Sequence, residues 1–138
     1  LQKRHPQVTA QPLDLAQLQS ELPATDVLIA LTTSRTPVIP LRIAPATLAI
    51  GVGAFKPDMA EFPPQLLHQR QIVVDDLDGA RHEAGDLLQA GVDWSRVTAL
   101  SAVLDGTVNI AGQMPVFKTV GQAAWDLAAA RVALASLA

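Results

Sequence analysis

Three continuous apolar runs mark the chain: Asp26-Val27-Leu28-Ile29-Ala30-Leu31, Ala46-Thr47-Leu48-Ala49-Ile50-Gly51-Val52-Gly53 and Gln71-Ile72-Val73-Val74. Runs of this length without alternation predict parallel strands buried on both faces. Val116 to Val120 predicts a fourth, shorter strand. Helical spacing appears between them. Leu15, Leu18 and Leu22 share one helical face behind a capping Asp14. Pro63 and Pro64 open a short helix through Leu67. Ala80, Ala84, Leu87 and Leu88 follow a turn in which Asp78 is placed to cap. Residues 121–138 are rich in Ala and Leu and free of Pro, with apolar positions 124, 127, 128, 132 and 135, and predict a long terminal helix. Residues 7–13 alternate weakly and predict an edge strand. Residues 92–102 fit either state, with Ser95 a possible helix start, and 106–115 read as a loop. Strands separated by helices predict an α/β fold with a parallel sheet, flanking helices and a long C-terminal helix.

In such sheets ligands bind beyond the carboxyl ends of the strands. That rule gathers three segments at one rim: Leu31-Thr32-Thr33-Ser34, Val52-Gly53-Ala54-Phe55 and Lys118-Thr119-Val120. Gly51 and Gly53 permit close approach of a ligand or of a neighbouring segment. Lys118 follows an apolar strand and is the candidate catalytic group; Lys56 is the lesser one, more commonly a solvated lysine. Each reading has a plainer partner. The hydroxyl cluster can be a hydrogen-bonded turn, Phe55 can be core, and Asp75-Asp76 can hold the turn after a strand. Glu83 and Asp86, three apart, can be an acid/base pair or a cap and solvated surface. Trp94 and Trp125 read as packing residues.

The chain of 138 residues fits one folded unit, and its 49% hydrophobic content supplies a core. The formal net charge is −3, and no basic run points to nucleic acid. Cysteine is absent, which excludes disulfides and fits a cytoplasmic protein. No apolar run reaches the ~18–20 residues that span a bilayer. His5, His68 and His82 have no metal-ligand spacing, so no metal is expected. The start, Leu1-Gln2-Lys3-Arg4-His5-Pro6, lacks an initiator Met and resembles the frayed end of a helix closed by Pro6. N-terminal truncation is expected.

Four segments in order resemble the ornithine cyclodeaminase/mu-crystallin family: Ala30 to Val38, Gly51 to Glu61, Val74-Asp75-Asp76 with Glu83-Ala84-Gly85-Asp86, and Phe117 to Gly121 with Trp125 to Ala130. His82 to Asp86 and Ala90 to Trp94 are similar to the branch of bacterial reductases of 1-pyrroline-2-carboxylate and 1-piperideine-2-carboxylate. The resemblance implies a partial Rossmann-type domain over residues 1–115. It also implies a segment, 116–138, that returns toward a substrate and dimerisation domain absent from this chain. The glycine fingerprint Gly-x-Gly-x-x-Gly is missing, so the phosphate-binding half of the fold is missing too. The resemblance implies NADPH or NADH as cofactor, a small cyclic imino acid as substrate and a homodimer. Leu31, Thr32, Thr33, Ser34, Val52, Gly53, Ala54, Phe55, Thr119 and Val120 become cofactor-binding candidates. Of these, Thr32 and Thr33 fall in the ribose–phosphate region and Val52 to Phe55 at the nicotinamide. Cyclodeaminases and the related alanine dehydrogenases carry an Asp where this chain has Phe55. A phenyl ring cannot pair with an ammonium group, so imine reduction is expected ahead of ornithine cyclodeamination or alanine dehydrogenation. A non-enzymatic, crystallin-like nucleotide binder is the third alternative.

Overall fold

A computed structural model describes residues 3–20, 22–110, 112 and 114–137. Five strands, β1 (Val27–Ala30), β2 (Leu48–Gly51), β3 (Ile72–Val74), β4 (Val97–Ala99) and β5 (Val116–Lys118), form one sheet in the order β1-β2-β5-β3-β4. Every pairing is parallel. The helices are α1 (Leu15–Ser20), α2 (Pro64–Gln69), α3 (Leu77–Glu83), α4 (Gly85–Ala90), α5 (Leu100–Leu104) and α6 (Ala123–Ala135), with one 3-10 turn at Trp94–Arg96. The α/β expectation holds. β5 lies in the middle of the sheet, so the sheet itself is undivided at residue 116.

Several local expectations give way. Residues 7–13 form no strand; a single turn bond, Val8 N–H to the His5 carbonyl, marks that stretch. Asp14 caps α1 as expected, within a reciprocal capping box: its carboxylate accepts from Gln17 N–H (2.7 Å) and the Gln17 side chain accepts from Asp14 N–H (3.1 Å). The expected continuation of α1 passes through Glu21, outside the described residues, as are Leu1, Gln2 and Ala138. The cap of α3 is Asp76, which accepts from Gly79 N–H (2.7 Å), whereas Asp78 sits inside the first turn. The expected single helix from 80 is two, because Gly85 lies against the 56–59 turn: a Cβ on it would sit 2.2 Å from the carbonyls of Lys56 and Met59. Asp93, not Ser95, initiates the 3-10 turn, and β4 emerges from the stretch that fitted either state.

The two faces of the sheet differ. Side chains alternate along each strand, and the register aligns Ala49, Val116, Ile72 and Val97 in one row. That row is buried in the main core with Leu66, Leu67, Ala80, Ala84 and Leu87 of α2, α3 and α4. The opposite face carries Val27, Ile29, Leu48, Ile50 and Phe117, and much of it is open. β1 is therefore not buried on both faces: Ile29 is 53% exposed and Leu31, just beyond the strand, 72%. The apolar positions of α6 likewise meet no core, and none of its residues is buried.

Two buried charged side chains are joined inside the covered half. Lys118, at the end of β5, lies with its Nζ 3.6 Å from Asp86 Oδ2 of α4, both side chains being fully buried. The ammonium also donates to the Gly51 carbonyl (3.3 Å). Asp86 Oδ1 accepts from the backbone N–H groups of Glu61 and Phe62, while Oδ2 has no hydrogen bond. The solvated-surface reading holds for Glu83, which is exposed, and falls for Asp86, which is core; the two carboxylates are thereby separated and the acid/base reading of the pair falls. Burial raises the Asp86 carboxyl above its ordinary value, against the pull of its backbone donors and of Lys118. Burial lowers the Lys118 ammonium, against the pull of Asp86 and Glu61. At the opposite end of the sheet Arg70, 5% exposed, donates to four backbone carbonyls, of Ile43, Ala44, Thr47 and Met114, and so ties together the segments entering β2 and β5.

Removing one member of a buried pair strands the other. Lys118→Met should lower stability by about 3–5 kcal/mol, and adding Asp86→Asn should recover most of it, because Asn keeps the acceptor for Glu61 and Phe62. The pH dependence has a definite sign. A carboxyl whose folded value is raised contributes stability that is full below its unfolded value and lost as pH rises through the folded one. The Lys118→Met deficit should therefore be smaller at pH about 5 than at pH about 8, read from thermal midpoints of the complete gene product. Equal midpoints for Lys118→Met and wild type would refute the coupling.

Candidate functional site

β1, β2 and β5 are neighbours and parallel, so their carboxyl ends open on the same rim. The structure brings the three expected segments together there. The link between the first two is a residue that the sequence pattern did not single out. Glu61, fully buried, places its carboxylate between the loop after β1 and the loop after β2. Oε1 accepts from Thr32 N–H (2.5 Å) and Thr32 Oγ1 (2.9 Å). Oε2 accepts from Gly53 N–H (2.7 Å) and Ala54 N–H (3.2 Å). A buried carboxylate needs such donors, since burial without them costs several kcal/mol.

The glycines follow from that approach. A Cβ on Gly53 would lie 1.7 Å from the Thr32 carbonyl and 2.5 Å from Glu61 Oε1; a Cβ on Gly51 would lie 2.3 Å from the Phe62 ring. Both glycines admit a neighbouring segment of the chain itself, the second of the two expectations. Lys118, Asp86 and Glu61 then form one connected interior: Lys118 to Asp86, Asp86 to the Glu61 backbone, and the Glu61 side chain to both loops.

The remaining candidates fall into three groups. Leu31, Thr33 and Phe55 are exposed at the rim, and Ser34, Val52, Gly53, Thr119 and Val120 are partly so. Phe55 is 41% exposed, with the Lys56 ammonium 5.6 Å from its ring centre, so it is not a core residue. Thr32 is exposed, yet its N–H and hydroxyl are both taken by Glu61. Ala54 and Lys118 are buried and present no side chain to the rim. Lys118 spends its charge on Asp86 and Gly51.

The third segment is held by Asp75, as a strand-ending turn. Its carboxylate accepts from Thr119 Oγ1, from Val120 N–H (3.2 Å) and from Gly121 N–H (2.9 Å). Gly121 takes φ +82°, a left-handed conformation that sends the chain into α6. Beside this turn a cavity of about 680 Å³ runs between β4, α5 and α6, lined by Asp75, Leu100, Phe117, Thr119 and Trp125. Trp94 packs against the core, with the Arg81 guanidinium 5.8 Å from its ring centre. Among the described residues no group of three or more His, Cys, Asp or Glu side chains could hold a metal, and no helix is long and apolar enough to cross a membrane.

Sequence reasoning missed the structural roles of Glu61 and Arg70, and it singled out Asp86 only as an acid/base partner or a cap and surface residue. The one local signal is a charged side chain without polar flanks, Glu61 between Ala60 and Phe62 and Asp86 between Gly85 and Leu87; Arg70, between Gln69 and Gln71, carries none. The rim combines small and apolar groups, hydroxyls and a glycine turn, and the amide donors of Thr32, Gly53 and Ala54 are occupied by Glu61.

The chain is 53% identical over 115 residues to Delta(1)-pyrroline-2-carboxylate reductase 1 of Burkholderia multivorans, covering 83% of this chain and 37% of that protein. It is 51% identical over 115 residues to the Delta(1)-pyrroline-2-carboxylate/Delta(1)-piperideine-2-carboxylate reductase of Azospirillum brasilense, with the same shares covered. The chain thus spans well under half the length of these relatives. The fold is shared with the Thermococcus litoralis Delta(1)-pyrroline-2-carboxylate reductase solved in complex with NADH and L-proline: TM-score 0.63, 24% identity, 78% of this chain and 35% of that one. Residues 9–137 match the model of the ornithine cyclodeaminase/mu-crystallin family, and the chain belongs to that family.

Proposed function

We propose that the chain is the cofactor-facing portion of an NAD(P)H-dependent reductase of cyclic imino acids, which turns 1-pyrroline-2-carboxylate into proline and 1-piperideine-2-carboxylate into pipecolate. The observation that carries this reading is the 53% identity over 115 residues to a reductase of that name, joined to a rim at the carboxyl ends of three adjacent parallel strands. The nicotinamide, when bound, supplies hydride to the ring carbon of the imine. The residues of this chain orient and shelter. Leu31, Thr33, Ser34, Val52, Gly53 and Phe55 form the surface against the cofactor. Thr119 and Val120, fixed by Asp75, border the substrate side. Thr32 and Ala54 shape that surface through their bonds to Glu61. Lys118 is a positioning residue rather than a group that touches substrate, since its ammonium is fully buried and engaged.

The carboxylate clamp, the phosphate-binding glycines and the dimer contacts belong, in this proposal, to other parts of a complete homodimeric enzyme acting in the cytoplasm. The open face of β1 and the unburied α6 are the surfaces available for those parts to cover.

Two measurements test the reading. The complete gene product should oxidise NADPH or NADH when 1-pyrroline-2-carboxylate is supplied, and the 138-residue chain alone should not. Ammonia release from ornithine without imine reduction would sink the proposal. Within the active enzyme, Phe55→Asp should cut kcat/KM for the imine at least about tenfold, on the order of 1.4 kcal/mol, by placing a carboxylate beside the reacting ring. Unchanged kcat/KM would remove Phe55 from the site.

A further inference from the structure

We propose that Glu61 is the positioning residue of the cofactor rim: its buried carboxylate fills the amide nest between the loops after β1 and β2 and holds them as one rigid ledge. The inference rests on the functional reading above and adds to it a residue whose side chain a bound cofactor need never touch.

Three observations carry it. First, every polar atom of Glu61 is used, and each ties a different segment. The carboxylate takes Thr32, Gly53 and Ala54; the carbonyl accepts from Val38 and Ile39 N–H (2.9 Å each); the N–H donates to Asp86. Second, three backbone N–H groups and a hydroxyl converging on one point are the donor set that backbone nests offer to phosphates. Here a carboxylate of the protein occupies it. The ledge therefore has no donors left for a diphosphate at Thr32, Gly53 or Ala54, which moves Thr32 out of the ribose–phosphate role expected for it. Third, Gly53 allows no Cβ against Thr32 and Glu61, so the two loops meet at backbone contact and any slackening of the carboxylate displaces both. Alignment of a hydride donor is sensitive to displacements of this kind.

In the complete gene product, Glu61→Gln removes one acceptor oxygen and turns an NH2 group toward N–H donors. It should raise the Kd for NADH or NADPH, read by cofactor fluorescence, at least tenfold, and raise the KM for cofactor more than the KM for imine. Glu61→Asp, too short to reach both loops, should do the same. Thr32→Val deletes one of the four donors and should weaken cofactor binding about threefold, with Thr32→Ser restoring it. The double variant should bind no more weakly than Glu61→Gln alone, because Thr32 acts through Glu61. A folded Glu61→Gln protein with cofactor Kd within twofold of wild type overturns the proposal, as does full additivity of the two substitutions. Should Glu61→Gln fail to fold, an unaltered Kd in Thr32→Val overturns it instead. Wild type that binds cofactor yet leaves the imine unreduced refutes the functional reading while Glu61 is still decided by Kd. Wild type that binds neither nucleotide refutes both.

Discussion

A carboxylate placed inside a protein must be surrounded by donors, and the donors available to Glu61 are the amides where two parallel strands end. That single requirement organises much of the site. It forces the loops after β1 and β2 together, which forces glycine at 53. It also demands that the Glu61 backbone be anchored, and Asp86 supplies the anchor from α4. Asp86 is itself buried, so Lys118 is drawn in beneath the same ends. Two negative side chains and one positive one thus stand behind a rim whose surface is small, hydroxylated and apolar. The polar interior holds a shape, and the exposed and half-exposed residues Leu31, Thr33, Ser34, Val52, Gly53 and Phe55 in front of it carry no charge, with Lys56 beside them.

The strand order makes this chain of contacts possible. Inserting β5 between β2 and β3 sets Lys118 directly beside Gly51 in register, within reach of its carbonyl, and sets Val74 on the other side. Had β5 stood at an edge, its terminal lysine could have reached water. In the centre, with α4 crossing below, the ammonium has no route out, and a carboxylate opposite it becomes a necessity. Asp75, at the end of the adjacent β3, completes the arrangement by gripping the turn after β5. Three neighbouring strand ends are therefore fixed by acids from elsewhere in the chain: Glu61 for β1 and β2, Asp75 for β5.

Much of the fold and the location of the rim were legible in the sequence. Uninterrupted apolar runs give β1, β2 and β3, and the ligand rule for parallel sheets puts Thr32, Val52 and Thr119 on one rim without any knowledge of strand order. What stayed hidden depends on contacts distant in sequence. Glu61 lies 29 residues from Thr32 and Asp86 lies 25 from Glu61, so apolar flanks hint at burial but the donors that hold each carboxylate are out of reach of any local pattern. Lys118 after an apolar strand looked like a catalytic lysine because the spacing could not say which way the side chain faces; alternation places it in the row of Gly51 and Val74, inward. β4 was obscured because Val97-Thr98-Ala99 is short and runs straight into α5. Asp76 and Asp78 are both good caps, and only the backbone geometry at 76 separates them.

The two sides of the sheet also carry different kinds of information. The side covered by α2, α3 and α4 is complete: its apolar row is buried, its acids have donors, and its one cationic lysine has a partner. The other side leaves Val27, Ile29 and Leu31 in water, alongside an apolar hollow lined by Leu48, Val73, Phe117 and Met114. α6 adds Leu127, Val132 and Leu134, all exposed. The loops after β1 and β2 are thus held together from the covered side, by Glu61, Asp86 and Lys118, while Asp75 holds the turn after β5 beside the cavity on the other side. Whatever covers the open side, the contacts that join the loops after β1 and β2 lie on the other one.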